Sequence, residues 1–485
     1  MRVVVSIFCA VCMTIASAEC FRVLQQASYR PQRGYFKIYL SWYFGVLVVT
    51  QVAAVLLDVY LEKYSLYLIL SLFAAVALVL TLVKRKCPLK VTKRVLRMFV
   101  VELVTLALLC VFVNNSYFVW LLPLTTLLSW AICLPIDVLI NRRYIRLAQK
   151  KLFASNVTVI AITGSYGKTS VKDMLSTLLE GSLTPYGSYN TPLGIAKFIN
   201  GTDLDGYKYL VLEFGARKLH DIMQLCKLYK PTYGVVTGVC AQHLSTFKTI
   251  DNVIATKREL VECLPANGFC VLNQSDEFVA SFTGSGVCKK YLSREGVEFS
   301  SSKVDFEGTQ IAVKYGDDVR EVKLPQISDY VVDTFAMCLQ VALRLGQDFD
   351  KTLDLTVNVR QTPHRLELMR GVGCYILDDS YNASIVGVTS CCKTLKKFDC
   401  AKVVITQGLV ECGRKRRKLN TLCGQLLGVT CDVAVVLGRN GKYLTEGLCM
   451  TNCKVLTARN LTQAVQLATP YAHGGILLFQ NDLPD

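Results

Sequence analysis

The sequence predicts an α-helical transmembrane module followed by two α/β domains with mostly parallel sheets, the first built on a P-loop-type turn and the second Rossmann-like. Three observations carry this. The first 151 of the 485 residues are dominated by apolar segments separated by basic connections. A β-rich run, Val157–Ile162, leads through a small-residue turn into Lys168-Thr169 and then into a helical pattern. From there onward strand-like and helix-like patterns alternate, as parallel βαβ units require. The expected domains are residues 1–151, 152–363 and 364–485.

Composition sets the outer limits. A hydrophobic fraction of 52% and a mean hydropathy of +0.37 are high for a soluble chain, so part of it belongs in a membrane. The formal net charge is +17. Residues 1–151 hold 18 Lys/Arg against 5 Asp/Glu, while the remainder holds 36 against 32. The basicity therefore reads as membrane topology, and no nucleic-acid partner is expected. The 21 cysteines are scattered, mostly in apolar runs, and the one C-x-x-C, Cys9–Cys12, has no second pair. They read as reduced, buried small hydrophobes rather than as disulfides or a zinc site.

Five apolar segments make up the module: Val3–Ala18, Tyr43–Tyr60, Tyr64–Val83, Met98–Val113 and Tyr117–Ile140. Basic connections (Arg22 to Lys37, Lys84 to Arg97, Arg142 to Lys151) alternate with the nearly neutral Glu62-Lys63 and the uncharged Asn114-Asn115-Ser116. By the positive-inside rule this gives five passes, N-terminus outside, with everything after Ile140 in the cytoplasm. A cleaved signal peptide ending near Ala16-Ser17-Ala18 is the competing reading; it would put the basic residues after it outside. Glu102 is an intramembrane carboxylate and a functional candidate by default, although it could equally snorkel.

The P-loop-type stretch is VTVIAITGSYGKTSVK, Val157–Lys172. Glycines let backbone N–H groups curl around an anion, and the following helix N-terminus adds partial positive charge. The lysine would reach the β- and γ-phosphates of a nucleotide and the Thr169 hydroxyl would hold Mg²⁺. The usual first glycine position is here Ile162, and Gly164 stands three residues before Gly167. Downstream come the turn-rich Tyr186–Gly194; a strand, Tyr209–Phe214, ending in Glu213; and a strand, Tyr233–Val239, leading to Cys240-Ala241-Gln242-His243. A helix, Asp251–Leu260, carries Lys257, and a further strand ends in Asn273 and Asp276. Taken singly, Glu213 is as well read as a solvated strand end, His243 as structural and Lys257 as a solvated helix position.

Their order is more specific. Phosphate loop, Asn-Thr-Pro-Leu-Gly loop, strand-end Glu, Thr-Gly-x-x-x-x-His, helix Lys and strand-end Asn-x-x-Asp together resemble the Mur ligase family, from about Val157 to about Gly441. These enzymes use ATP to add amino acids or dipeptides to the peptidoglycan stem. The resemblance implies an ATP site of Gly164, Ser165, Gly167, Lys168, Thr169 and Ser170. It implies Mg²⁺ on Thr169, Glu213 and His243, with Lys257 as a carbamylated lysine that becomes a further metal ligand. Asn190 would meet the substrate. Where the family has an adenine-reading asparagine opening a helix, here expected over Asp329–Leu345, this chain has Asp333 or Thr334.

In the last domain His364-Arg365-Leu366-Glu367 precedes a strand, Cys374–Leu377, and then Asp378-Asp379-Ser380-Tyr381-Asn382-Ala383-Ser384. Alone this is a strand followed by a helix cap. It also looks like the Asp-Asp-Ser-Tyr-Asn-Ala-Asn-Pro signature of the D-alanyl-D-alanine-adding branch, departing from it at Ser384-Ile385. The resemblance places Arg365 and Asp379 on the nucleotide and Tyr381 and Asn382 near the substrate. Further strands are expected at Lys402–Thr406, Val433–Leu437 and Gly475–Phe479, with helices after Gly413 and over Leu461–Leu467. The basic run Arg414–Lys418 reads as a solvated helix start before a lipid contact.

The reading is an ATP-dependent ligase that forms an acyl phosphate on a cell-wall peptide precursor and passes it to an amino-acid or dipeptide amine. It would use ATP and Mg²⁺, sit in a bacterial-type plasma membrane with its catalytic domains cytoplasmic, and have membrane lipid as a partner. The membrane module stands where the family has a soluble sugar-binding domain, so the acceptor could be lipid-linked. The rivals are another Mur-like amide ligase, glutamate- or polyglutamate-adding, and a membrane-anchored nucleotide-binding protein that has lost ligation.

Overall fold

The computed structural model describes residues 10, 11, 13–27, 29–33, 35–40, 45, 89–112, 121–240, 244–328, 330–381, 384–410, 412 and 415–481. Two compact units divide between Arg143 and Tyr144.

The first unit contains α1 (Ala18–Gln26), α2 (Lys93–Phe112) and most of α3 (Leu122–Ala154). Phe21, Leu24, Tyr35, Met98 and Cys133 form its core. The Tyr35 hydroxyl donates to the Pro123 carbonyl at 2.9 Å. Arg94 (2.7 Å) and Arg97 both pair with Asp137, which is buried. Glu102 is also buried, and its Oε1 accepts from the hydroxyls of Thr125 (2.9 Å) and Thr126 (3.1 Å). The opposite face of α2 is apolar and open: Leu96, Val100, Val104 and Leu108 are each more than half exposed. Among the described residues, α3 is the one helix long and apolar enough to cross a membrane. The predicted segments Tyr43–Tyr60 (apart from Gly45) and Tyr64–Val83 lie outside the described residues, as do the first nine residues of the chain.

The second unit is α/β. Its first sheet comprises β1 (Thr158–Thr163), β2 (Ser182–Leu183), β3 (Tyr209–Glu213), β4 (Tyr233–Val236), β5 (Phe269–Leu272) and β6 (Lys289–Leu292). Their order is β2-β3-β1-β4-β5-β6, all parallel. β1, β3 and β5 are buried on both faces, which explains their unbroken apolar runs. On one side pack α5 (Pro192–Gly201), α6 (Asp221–Tyr229), α7 (Ile250–Cys263) and the end of α3 through Ala148 and Leu152. On the other pack α4 (Lys168–Leu178) and α8 (Val331–Arg344). From β1 the chain moves to β2 and β3 on one side and then to β4, β5 and β6 on the other. The β1–α4 turn therefore lies at a topological switch point, where α/β sheets bind ligands.

A second, three-stranded antiparallel sheet was not among the expected elements. It is formed by β7 (Val297–Asp305), β8 (Gly308–Tyr315) and β9 (Asp318–Leu324). Its buried side chains alternate, as in Ile311/Val313 and Val322/Leu324, and they pack against α8, where Phe299 meets Phe335 edge-on at 6.0 Å. Period-two alternation was present in the sequence, but the charged partners Lys314, Arg320, Glu321 and Lys323 make these strands read as loop.

The last sheet has the order β10-β11-β15-β12-β13-β14. These are β10 (Glu367–Arg370), β11 (Tyr375–Asp379), β12 (Lys402–Gly408), β13 (Val433–Val436), β14 (Lys454–Thr457) and β15 (Ile476–Asn481). Only β10 runs antiparallel, so the sheet is Rossmann-like with one reversed edge. Helices α9 (Ile385–Leu395), α10 (Arg416–Gly428), α11 (Gly441–Leu448) and α12 (Leu461–Ala472) connect it. Ser384, where the signature of the resembling branch has asparagine, accepts from the Gly387 N–H at 3.1 Å and caps α9. Serine caps as well as asparagine does, so the departure keeps the helix start intact. Phe306 stacks on Tyr375 at 3.9 Å and joins the antiparallel sheet to this domain.

Candidate active site

The β1–α4 turn is held from below by the residues that follow β4. The Ser165 N–H donates to the Gly238 carbonyl at 2.7 Å, and the Thr237 hydroxyl reaches the carbonyls of Tyr166 and, at 3.3 Å, Thr163. Two glycines are required by this close approach. A Cβ on Gly164 would lie 2.0 Å from Thr237 Oγ1, and one on Gly238 would lie 2.2 Å from Cζ of Tyr166. The Tyr166 hydroxyl donates to Asp276 at 2.8 Å, and its ring packs against Tyr330 at 5.3 Å. Burial and the Asp276 carboxylate both push that phenol well above the ordinary tyrosine range. Gly167 (φ 75°) then starts α4. The usual outer glycine is absent for a plain reason: Ile162 still belongs to β1 and is wholly buried in the core. Gly238→Ala should therefore displace Tyr166 and weaken binding of an ATP analogue at least about tenfold, with roughly 1–3 kcal/mol lost in stability. Ligand titration and thermal unfolding of the variant would measure both.

At the head of α4, Lys168 donates to the Gly164 carbonyl at 2.8 Å, while Thr169 and Ser170 occupy the half-buried first turn. Desolvation lowers the Lys168 ammonium below the usual lysine range; Glu213 opposes this and Arg365 adds to it. Glu213, at the end of β3, is 2% exposed, and its Oε1 has no hydrogen-bond partner among the described residues. Lys172, one turn along α4, faces that oxygen at 3.5 Å. Lys172 does not stand out in the sequence. The available signal was a cation near a helix N-terminus, beside the apolar stripe Val171, Met174, Leu175, Leu178, where the helix dipole disfavours it.

Asn190 lies over the end of β3: its carbonyl accepts from the Gly215 N–H at 3.0 Å. Thr191 and Pro192 then cap α5, with Thr191 Oγ1 accepting from the Gly194 N–H at 3.2 Å. Lys257, on α7, is 3% exposed, so it is no solvated helix position. Burial first and the Lys168 charge second lower its pKa to about 7, against Cys240, Glu259 and Asp221, which pull it up. Ala241, Gln242 and His243 lie outside the described residues.

Asp333 is placed among protein partners: its Oδ1 accepts from Ser275 Oγ and from Arg294, both at 2.7 Å. On the last domain, Arg365 donates to the Tyr381 carbonyl at 3.1 Å and lies over the Tyr381 ring at 4.6 Å. Desolvation lowers its pKa, and Asp379 is the chief opposing charge. Asp379 itself is raised by burial against a 2.8 Å hydrogen bond from Gln480 and the attraction of Arg365. Tyr381 reaches across to Ser188 at 3.3 Å, so the two α/β domains meet at the loop that carries Asn190. Asn382 and Ala383 lie outside the described residues.

The structure thus gathers Gly164, Ser165, Gly167, Lys168, Thr169, Ser170, Glu213, Lys257, Arg365 and Asp379 into one electrostatic neighbourhood, with Asn190 and Tyr381 at its edge. A glycine cradle with a desolvated lysine fits phosphate, and the buried Glu213 carboxylate, whose Oε1 has no hydrogen bond among the described residues, fits a divalent cation.

Known proteins resemble the chain over the region that contains these residues. Residues 162–342 match the Mur ligase middle domain. The UDP-N-acetylmuramoyl-tripeptide–D-alanyl-D-alanine ligase of Mycobacterium tuberculosis is 31% identical over 248 residues, 48% of each chain. The matched stretch spans about half the length of such curated relatives. Among solved structures, the Acinetobacter baumannii enzyme MurF shares the fold with a TM-score of 0.65 at 20% identity, covering 70% of this chain and 77% of its own. The Thermotoga maritima MurF ligase, crystallised with ADP, gives 0.62 at 24% identity over 70% and 80%.

Proposed function

We propose that this chain, whose central residues match the Mur ligase middle domain, is an ATP-dependent amide ligase of cell-wall precursor synthesis that adds D-alanyl-D-alanine to a muramoyl peptide. The carrying observation is the convergence of a glycine-cradled Lys168, the buried carboxylate Glu213 and the buried Lys257 at one switch point. The run Asp378–Ala383 and the likeness to D-alanyl-D-alanine ligases support the choice of amine.

In this reading the loop N–H groups and Lys168 bind and orient the β- and γ-phosphates of ATP. Thr169, Glu213 and His243 would hold Mg²⁺, with carbamylated Lys257 as a further ligand; the ion supplies charge neutralisation to the phosphates. The loop around Asn190 holds the acceptor so that its carboxylate oxygen attacks the γ-phosphorus and ADP leaves. The amine then attacks the acyl phosphate and phosphate departs, leaving an amide. Arg365 and Asp379 are carried by the last domain, whose contact through Tyr381 closes the site and keeps water from the acyl phosphate.

The N-terminal unit fixes where this happens. The face of α2 that carries Glu102 is buried together with Val95, Met98 and Leu106, while Leu96, Val100, Val104 and Leu108 face outward. A helix that is apolar on its outer face as well as its inner one supports lipid contact. We read the unit as a multi-pass anchor that keeps the catalytic domains at the cytoplasmic face of the plasma membrane, next to a lipid-linked acceptor.

Purified full-length protein should release ADP only when a muramoyl tripeptide and D-alanyl-D-alanine are both present, and should turn over a lipid-linked acceptor faster than a UDP-linked one. Equal turnover of the two would remove the lipid-linked acceptor from the account. ADP release indifferent to the amine would remove the ligase.

A further inference from the structure

The proposed reaction gives Lys172 no task, yet its surroundings are built around it. The side chain is 1% exposed, a burial that lysine almost never shows unless paired. Two of its three donors are used on the carbonyls of Pro185 (2.9 Å) and Gly187 (3.0 Å). Those carbonyls flank Tyr186, whose own side chain is 92% exposed. Lys172 therefore pins the backbone of this loop on both sides of an outward-facing aromatic. The ammonium also faces Asp173 at 3.2 Å and Glu213 Oε1 at 3.5 Å, an oxygen with no hydrogen bond among the described residues. The same loop continues to Asn190, whose carbonyl takes the Gly215 N–H just beyond Glu213.

A buried charge is a costly way to pack a helix on a sheet; an apolar side chain of similar volume does that at least as well. What an ammonium adds is simultaneous direction of a carboxylate and of backbone carbonyls. We propose that Lys172 is a positioning residue that couples the metal-side carboxylate Glu213 to the acceptor loop 185–190, so that cation site and acceptor site are held in register. This rests on the ligase reading. With the cation gone, Lys172 supplies the positive partner that holds Glu213 in place, and the loop stays attached to it. Residues that orient a metal ligand from behind typically change metal affinity by about 10–100-fold when removed.

The test compares wild type, Lys172→Met, Lys172→Arg, Glu213→Gln and the Lys172→Met/Glu213→Gln double variant, all full-length. Mn²⁺ binding in the presence of a non-hydrolysable ATP analogue is followed by electron paramagnetic resonance, and amide hydrogen exchange is followed over residues 185–190. Lys172→Met should weaken Mn²⁺ binding about tenfold and speed exchange in the loop, and Lys172→Arg should restore most of both. In turnover, Lys172→Met should raise the acceptor KM about tenfold and leave the ATP KM within about twofold. The double variant should bind Mn²⁺ no more weakly than Glu213→Gln alone, because both substitutions act through one carboxylate. Additive losses, or a Lys172→Met protein that binds Mn²⁺ as wild type does, would overturn the proposal while leaving the ligase reading intact. Wild type that binds no Mn²⁺ with the nucleotide would bring down both. Lys172→Gln, which keeps a donor but no charge, takes the place of the Met variant if that one does not fold.

Discussion

Lys168→Ala is expected to lower amine-dependent ADP release by at least roughly 10²–10³-fold, the usual cost of removing one preorganised group that stabilises transition-state charge. The expectation is strong because of where the ammonium sits. It donates to the Gly164 carbonyl within the cradle, and desolvation already lowers its pKa. A cation held in that state gains more than a solvated one from an arriving phosphate, since little water is left to displace. The fold should tolerate the change, so the loss should appear in turnover and in ATP-analogue binding with the thermal midpoint little altered. Retained activity in a folded Lys168→Ala protein would remove the β1–α4 turn from the site.

Lys257 gives the second large effect, and it has a pH signature. Its ammonium titrates near pH 7 in the fold, lowered by burial first and by Lys168 second. In the unfolded chain a lysine titrates near 10.4. Below about pH 7 both states are charged and the fold bears the full cost of burying the ion. Between about 7 and about 10.4 only the unfolded chain stays protonated, so stability rises with pH, and above that window the contribution vanishes. Lys257→Met should accordingly be more stable than wild type by on the order of a few kcal/mol below pH 7, with the gap closing as pH rises towards 10.4. Denaturant unfolding across that range measures it. The same variant should lose ligase activity. At pH 8 wild-type Lys257 is mostly neutral, the form that adds CO₂, so stripping CO₂ and bicarbonate should reversibly lower ADP release at least several-fold. Lys257→Met should show no such response.

The sequence made the phosphate turn readable because its chemistry is local: a buried apolar strand, two glycines at a close approach, a lysine and a helix start all lie within Val157–Lys172. Glu213 and Lys257 were ambiguous singly, since a strand-end glutamate and a helix lysine are ordinary surface features. Their burial, 2% and 3% exposed, is what separates them from that reading, and burial is a tertiary property. Lys172 went unnoticed for the same reason: its partners Pro185, Gly187 and Glu213 are brought to it only by the fold. Asp333 was placed near the nucleotide from its position in the order of motifs, and its engagement with Ser275 and Arg294 could not be foreseen from spacing. The β7–β9 sheet was missed because the many charged residues on its open face mask a period-two alternation that is present in the strands.

The central claim is that ATP is spent on activating a carboxylate for amide formation. An acceptor peptide labelled with ¹⁸O in its terminal carboxylate, incubated with the full-length protein, ATP, Mg²⁺ and D-alanyl-D-alanine, tests it most directly by mass spectrometry. The account predicts one ¹⁸O in each released phosphate and a product equal to acceptor plus dipeptide less one labelled water. Unlabelled phosphate with no amide product, from protein that still hydrolyses ATP, would contradict it.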